Sequence, residues 1–179
     1  MAFYGAGVEY ALHTLLNLSL APSGTAPSAR DLAEFQRLPL AFMRKLLTQL
    51  EKAGLAVGSE GIRGGWKLAR ETSEITLLEA AEAVQGRDPL FECREIRARC
   101  ALWSDGGAPR AATSGVCAIH AAMLAAEAAM RRELAQRTLA DIAGQVGAKA
   151  SATAATTVAA WFTDRYAGRR ASPKETTRD

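Results

Sequence analysis

Cysteine and histidine are scarce in this sequence, and several familiar enzyme motifs are missing from it. The 179 residues include three cysteines and two histidines. An odd number of cysteines argues against a disulfide framework and favours reduced thiols that bind a metal or respond to oxidation. The sequence has no internal repeats and no nucleotide-binding glycine motif. It also lacks the signature of zinc deaminases, which combines H-x-E with P-C-x-x-C. We therefore do not expect an enzyme.

The N-terminal segment also lacks the features of an export signal. Its apolar run follows no basic cluster, and Glu9 and His13 interrupt it. The same run is too short for a membrane span. We expect a cytoplasmic protein, and 179 residues are enough to bury one sizeable core.

The strongest positive feature is a basic stretch, residues 38–70. It contains six basic and two acidic residues, a net charge of +4, whereas the whole chain carries only +3. Apolar residues recur in its first half at three- and four-residue steps, which predicts a helix with a buried stripe. The stripe consists of Leu40, Met43, Leu46, Leu47, Leu50 and Ala53. The opposite face of this helix is basic, as a surface that neutralises DNA phosphates must be.

A second helix before this stretch and a hairpin inside it complete a recognisable motif. Ser28 suits the N-cap of a helix over residues 29–37, which a short turn joins to the basic helix. Strand-like runs at 55–57 and 66–68 flank a glycine-rich tip. Together they predict a winged helix-turn-helix, whose second helix enters the major groove of double-stranded DNA. A solvated amphipathic helix with a surface hairpin would show the same periodicity.

The remaining pattern predicts a mainly α fold with four regions. They are a DNA-binding domain at 1–86, a cluster-binding loop at 87–113, dimerisation helices at 114–148 and a partly disordered tail at 149–179, in which we expect residues 167–179 to be disordered. The first long helix after the loop, 114–136, is rich in alanine and carries an apolar stripe. The stripe consists of Ile119, Met123, Ala126, Met130 and Leu134. Such a stripe favours packing on a second copy of the chain, although a core helix of the monomer is the alternative.

Two groups of residues have metal-ligand spacing. Cys93, Cys100, Cys117 and His120 form the first, C-x6-C-x16-C-x2-H. Three thiolates and one imidazole can hold a structural zinc or an iron-sulfur cluster, whereas three incidental cysteines are the simpler explanation. Glu9 and His13 form the second group, since residues four apart on a helix can face one metal ion. A solvent-facing pair is the commoner explanation there.

Several segments, in their order along the chain, resemble a known family. They are VEYALHTLLNLSL, the stretch from SARDLAEF to GGWKLAR, EITLLEAAEAVQG and TLADIA, and the resemblance covers residues 5–146. The family is that of the winged-helix bacterial regulators typified by the iron-sulfur-cluster assembly repressor and the nitric-oxide-sensing repressor. It implies a homodimer with crossing long helices and a palindromic DNA operator. In many members it also implies an iron-sulfur cluster that controls DNA affinity.

The resemblance assigns DNA contacts to the basic helix and the wing. The helix contacts fall on Ala41, Phe42, Arg44 and Lys45, and the wing contact falls on Arg63. Family members often carry Arg-Gly in the wing where this chain has Glu60-Gly61. That departure leaves minor-groove contact to Arg63.

The resemblance also implies a ligand set for a cluster, which we expect to be 2Fe-2S, and the spacing of the cysteines provides an alternative set. The favoured set joins Glu9 and His13 of one chain to Cys93 and Cys117 of its partner, as in a redox-sensing branch of the family. The alternative set is Cys93, Cys100, Cys117 and His120.

The function that these patterns predict is a homodimeric transcriptional regulator whose cluster senses redox state, iron or nitric oxide. Two alternatives remain open. One is a metal-free thiol switch with a disulfide between Cys93 and Cys100, and the other is a structural zinc interaction module.

Overall fold

Helices dominate the fold of the chain in a computed structural model. The structure describes residues 4–61, 64–103, 106–149 and 152–171, and for residues 152–155 and 170–171 it describes only the backbone. The helices are α1 (Ala6–Leu20), α2 (Ala29–Gln36), α3 (Leu40–Lys52), α4 (Leu77–Gln85), α5 (Arg110–Thr113), α6 (Ala118–Gln136), α7 (Leu139–Lys149) and α8 (Ala152–Ala171). The strands are β1 (Ala56–Ser59) and β2 (Gly65–Leu68), and 3-10 turns lie at Thr72–Glu74, Ile96–Arg99 and Ala101–Trp103. Two compact units result, one from Met1–Gly86 with Ala135–Asp179 and the other from Arg87–Leu134.

The core of the first unit lies around α1, which packs against α4 and α7. Apolar residues from α1, α2, α3, α4, α7 and α8 meet there because each helix presents one apolar stripe. The most deeply buried of them include Ala11, Leu15, Leu32, Met43, Leu47, Leu50, Ile75, Leu139 and Phe162. Glu9 and His13 are exposed, as expected for a polar face of α1. Asn17 is only 6% exposed, so its predicted place on that same face is wrong.

The helix-turn-helix forms as the sequence predicts. Ser28 and Asp31 make a reciprocal capping box at the start of α2, with bonds of 2.8 and 3.1 Å. The helix ends at Arg37, whose left-handed conformation (φ 54°) turns the chain towards α3. The middle of the predicted stripe on α3 is buried, whereas Leu40 is half-buried and Ala53 is exposed. Both residues lie at the ends of α3, Leu40 at its first position and Ala53 directly after its last.

The hairpin is a two-stranded antiparallel wing. Ala56 pairs with Leu68 and Ser59 with Gly65. The first strand begins one residue later and ends two residues later than predicted, and the second strand begins one residue earlier. Gly61 has a φ of +93°, which a residue with a side chain rarely adopts, and its carbonyl accepts a bond from the Gly64 N–H at 2.9 Å. The predicted wing contact, Arg63, lies outside the described residues. The winged helix-turn-helix fold is confirmed.

The C-terminal half differs from its predicted outline in two places. The predicted loop 87–113 contains two 3-10 turns and the short α5, and the long helix α6 begins at Ala118 rather than at 114. The tail was expected to be disordered from 167 onwards, yet α8 continues to Ala171. No residue of α6 is buried within this one chain. By length and composition alone, the stretch Arg110–Gln136 could cross a membrane.

Candidate functional site

The exposed face of α3 carries all four residues that were predicted to contact DNA from this helix. Ala41, Arg44 and Lys45 are exposed, and Phe42 is 37% exposed with its ring edge-on to Tyr10 at 5.6 Å. Neither basic side chain forms an ion pair within the described part of the chain. The α3 face therefore offers two free cations beside small and aromatic side chains, which suits contact with phosphates and base edges.

One residue of the basic stretch has a structural task instead. Arg70 binds the Glu79 carboxylate at 2.8 Å and donates to the backbone oxygens of Gly54 at 3.3 Å and Glu74 at 3.1 Å. Arg70 thus joins the end of α3 to the start of α4. Counting charges along the sequence could not separate it from Arg44 or Lys45, because the difference lies in partners distant along the chain.

Glu79 is held ionised by the same contacts. Burial raises the pKa of its carboxyl, but the hydrogen bonds from Thr76 and Arg70 lower it by more in sum, so the pKa lies below its usual value. The sequence Thr76-Leu77-Leu78-Glu79 has the spacing of a capping box, and Thr76 and Glu79 form one at the start of α4, with the Thr76 N–H donating to Glu79 at 2.9 Å.

The wing is fixed to the body of the first unit by hydrogen bonds that its backbone N–H groups donate. The Trp66 N–H in β2 donates to the Pro27 carbonyl at 2.8 Å, and Glu51 at the end of α3 accepts from the Gly58 N–H in β1 at 3.1 Å. Lys67 is exposed on β2. Wing and α3 are thus parts of one unit, and together they form the candidate DNA interface.

Glu9 and His13, the predicted metal-ligand pair on α1, line a cleft in the first unit. The cleft has a volume of about 560 Å³. The rest of its lining is largely apolar and comes from α1, α4 and α7, including Leu12, Leu77, Leu139, Ile142 and Val146. A carboxylate and an imidazole one helical turn apart, both accessible, are able to bind one ion from the same side.

The second unit contains the remaining candidate ligands. Cys93, Cys100 and Cys117 are all half-buried free thiols. Arg97 organises the segment around them, because it pairs with both oxygens of Glu95 at 2.6 and 3.0 Å and donates to the Gly115 carbonyl at 3.1 Å. The sequence pattern did not identify Arg97 as a functional residue. Its position between two candidate ligand cysteines is the feature of the sequence that could have indicated it.

Electrostatics favour a thiolate at Cys117. Hydrogen bonds from the backbone N–H groups of His120 and then Ile119, at the start of α6, lower the pKa of the Cys117 thiol, and Arg97 lowers it further. The Glu95 hydrogen bond raises the pKa of Arg97, and the charges of Cys117 and Cys93 add to that effect. Arg97 is therefore electrostatically coupled to both cysteines of the favoured ligand set.

The described residues of one chain do not bring three metal-ligating side chains together. The alternative set of Cys93, Cys100, Cys117 and His120 is thus not assembled there, although Cys117 directly precedes α6 and His120 lies in the first turn of that helix. The favoured set draws its four ligands from two chains, so it stays a prediction.

Comparison with known proteins agrees with the DNA-binding fold. The Rrf2 model, described as an iron-dependent transcriptional regulator, matches residues 4–145. An HTH-type transcriptional regulator of Mycobacterium tuberculosis is 34% identical over 139 residues, which cover 78% of this chain and 80% of that protein. Two solved structures share the fold. CymR, the global cysteine regulator of B. subtilis, matches with a TM-score of 0.62 at 20% identity, and the match covers 81% of this chain and 98% of the CymR chain. T. potens IscR has a TM-score of 0.60 at 18% identity and covers 82% and 90%. The resemblance seen in the sequence is confirmed, and the chain belongs to the Rrf2 family of transcriptional regulators.

Proposed function

We propose that this regulator acts in the cytoplasm as a homodimer that binds a palindromic operator through α3 and the wing. The exposed face of α3 carries this proposal, because Arg44 and Lys45 project from it without ion-pair partners in the described residues. Arg63, outside the described residues, is the proposed minor-groove contact. Two reading heads related by a two-fold axis would match the two halves of a palindrome.

The homodimer is supported by apolar surface that a single chain leaves uncovered. On α6, Ile119 is 68% exposed and Met123 is 41% exposed. Monomeric soluble proteins rarely expose contiguous apolar patches of any size unless another surface covers them. The alanine-rich sequence of α6 would let two such helices approach closely. The proposed division is therefore a DNA-binding domain at 1–86, a cluster-binding loop at 87–113, dimerisation helices at 114–148 and a tail at 149–179.

We propose that the homodimer holds an iron-sulfur cluster, of the 2Fe-2S type, with Glu9 and His13 from one chain and Cys93 and Cys117 from the other. The donor chemistry fits, because backbone hydrogen bonds lower the pKa of the Cys117 thiol and Glu9 and His13 are accessible on one face of α1. Arg97 would offset the negative charge of the two thiolates.

A cluster of this kind supplies one-electron redox chemistry and responds to redox state, iron supply or nitric oxide. The chain's own residues would translate that state into DNA affinity. Glu9 and His13 lie on α1, which forms the core of the same unit as α3 and the wing. Ligands on α1 would therefore link the state of the cluster to the position of α3 and the wing. A switch requires a contact of this kind, which differs between its two states.

Anaerobic purification followed by visible and paramagnetic resonance spectroscopy tests the ligand set. Glu9→Ala and His13→Ala should lose or alter the native spectra. Cys100→Ala and His120→Ala are matched controls that should retain them. If the controls lose the cluster while the first two variants keep it, the single-chain set of three cysteines and a histidine is the correct one.

A metal-free thiol switch is the second candidate function. All three cysteines are free thiols, and Cys93 and Cys100 lie in the same short segment of the second unit. An oxidant such as peroxide would remove two electrons and two protons from this pair to form the disulfide. A colourless anaerobic protein whose DNA affinity changes with peroxide, and not in Cys100→Ala, would favour this candidate.

A further inference from the structure

The last helix, α8, begins beyond the region that matches the Rrf2 family, yet it is built into the DNA-reading unit. The family match ends at residue 145, and α8 spans Ala152–Ala171. Phe162 is 1% exposed in the core, and its ring lies 5.1 Å from that of Phe35 in α2. Trp161 packs edge-on against Phe35 at 5.1 Å. The helix is therefore anchored to the helix-turn-helix by a buried aromatic cluster.

Near its end, α8 places one arginine between the wing and α2. The Arg169 Nη1 atom donates to the Gly64 carbonyl at 2.9 Å, and Nη2 donates to the Ala26 carbonyl at 2.6 Å. Nη2 also lies 3.3 Å from the Asp31 carboxylate, which is almost fully buried. The Arg169 side chain is 25% exposed, so these bonds are partly shielded from solvent. A planar guanidinium suits this task because it presents several donors in fixed directions.

The partners of Arg169 are the points where the wing meets the helix-turn-helix. Gly64 directly precedes β2, and Ala26 lies two residues before the Ser28 N-cap of α2. The two backbones are tightly packed, since a Cβ added to Gly65 would lie 2.2 Å from the Ala26 oxygen. Only glycine permits this approach, and Arg169 bonds the two segments from the side.

We propose that α8 is a clamp that fixes the wing relative to the helix-turn-helix, with Arg169 as its positioning residue. The proposal depends on the wing taking part in DNA binding. Without the clamp, the wing root would keep its backbone contacts to Pro27 but lose the charged link to Ala26 and Asp31. A wing free to move must be ordered when it binds DNA, and that ordering lowers affinity.

A different role for Arg169 would be direct contact with a DNA phosphate. Arg44, Arg165 and Arg169 all line one cleft between α2, α3 and α8, so the helix lies close to the reading surface. The bonds from Arg169 favour positioning, because its Nη atoms already serve two carbonyls and a carboxylate. The two roles differ in their salt dependence, since losing a phosphate contact reduces the slope of log affinity against log salt.

The test compares Arg169→Ala and Arg169→Lys with Arg165→Ala in the full-length protein. Arg165 is the matched control because it lies one turn earlier, stacks on Trp161 and pairs with Glu34, with no bond to the described residues of the wing. Affinity for an operator duplex is measured at several salt concentrations, and hydrogen exchange of the Trp66 amide is measured without DNA. Arg169→Lys keeps the charge and most of the side-chain packing, so it serves if the alanine variant does not fold.

We expect both Arg169 variants to bind DNA more weakly, by up to about tenfold, because the free energy lost with one charge-assisted hydrogen bond limits the cost of ordering the released wing. The salt slope should stay unchanged, the Trp66 amide should exchange faster, and Arg165→Ala should show neither change in affinity nor in exchange. A slope reduced by about one would overturn the proposal in favour of a phosphate contact. Unchanged affinity and exchange would also overturn it. If Lys45→Ala weakens binding in that case, the DNA interface stands and only the clamp fails.

Discussion

Replacing Phe162 with alanine should remove a large part of the stability of the first unit. The side chain is 1% exposed, and its ring lies 5.1 Å from Phe35 and 5.0 Å from Trp161. These contacts place a residue from beyond the family region at the centre of the core. The variant therefore measures whether α8 unfolds together with the helix-turn-helix.

The expected loss follows from burial and from the cavity that remains. Full burial of a phenylalanine side chain contributes about 1.5–3 kcal/mol through transfer from water. Because neighbouring side chains relax only partially, the cavity adds to this, and Phe to Ala changes in cores cost about 3–5 kcal/mol. We expect a value in that range. If α8 instead detaches alone, the loss is capped at its docking free energy, and the urea m value falls because the variant's folded state already exposes that surface.

Urea unfolding followed by tryptophan fluorescence gives both quantities. The matched control is Thr163→Ala, because Thr163 is the next residue, is exposed and donates to the Ala159 carbonyl of its own helix at 2.9 Å. The control should change the free energy of unfolding by no more than about 0.5 kcal/mol. A loss below about 1 kcal/mol for Phe162→Ala with an unchanged m value would show that the ring is not buried as described.

Three further predictions concern DNA binding, pH and assembly. Lys45→Ala should weaken operator binding by about 1–3 kcal/mol if the ammonium contacts a base, whereas Lys52→Ala, in the last turn of α3, should have a smaller effect in the same titration. Glu79→Gln should lower the free energy of unfolding at pH 7 by at most about 1 kcal/mol, because the Glu79 carboxyl is partly exposed. Folding lowers the pKa of the Glu79 carboxyl, so the stability difference between the wild type and Glu79→Gln is present above the unfolded pKa of about 4.3. The difference disappears as pH falls through the pKa of Glu79 in the folded protein. Urea unfolding at pH 7 and at pH 3 would reveal this loss. Ile119→Asp puts a charge on the exposed stripe of α6 and should yield monomers or aggregates in sedimentation, and an intact dimer would place the interface elsewhere.

The local elements of the DNA-reading unit could be derived from the sequence because each depends on neighbours along the chain. The capping boxes at Ser28 and Thr76 need only a hydroxyl and a carboxylate three residues apart. The stripe on α3 follows from helical periodicity, and the wing follows from two short apolar runs around glycines. The resemblance to a known family then supplied the order of these elements and the expected DNA face, which α3 exposes.

Other features were decided by contacts between residues far apart in the sequence. Arg70 and Lys45 look alike along the chain, but Arg70 is engaged by Glu79 and two carbonyls, while Lys45 faces outward. A tail rich in Ala, Thr and Arg predicted disorder beyond 167, yet burial of Phe162 stabilises α8 enough for Arg169 to reach the wing. Periodicity describes which face of a helix is apolar, but only the packed structure determines what that face meets. For this reason the sequence alone predicted a DNA-reading head, and only the tertiary structure revealed the helix that holds its wing in place.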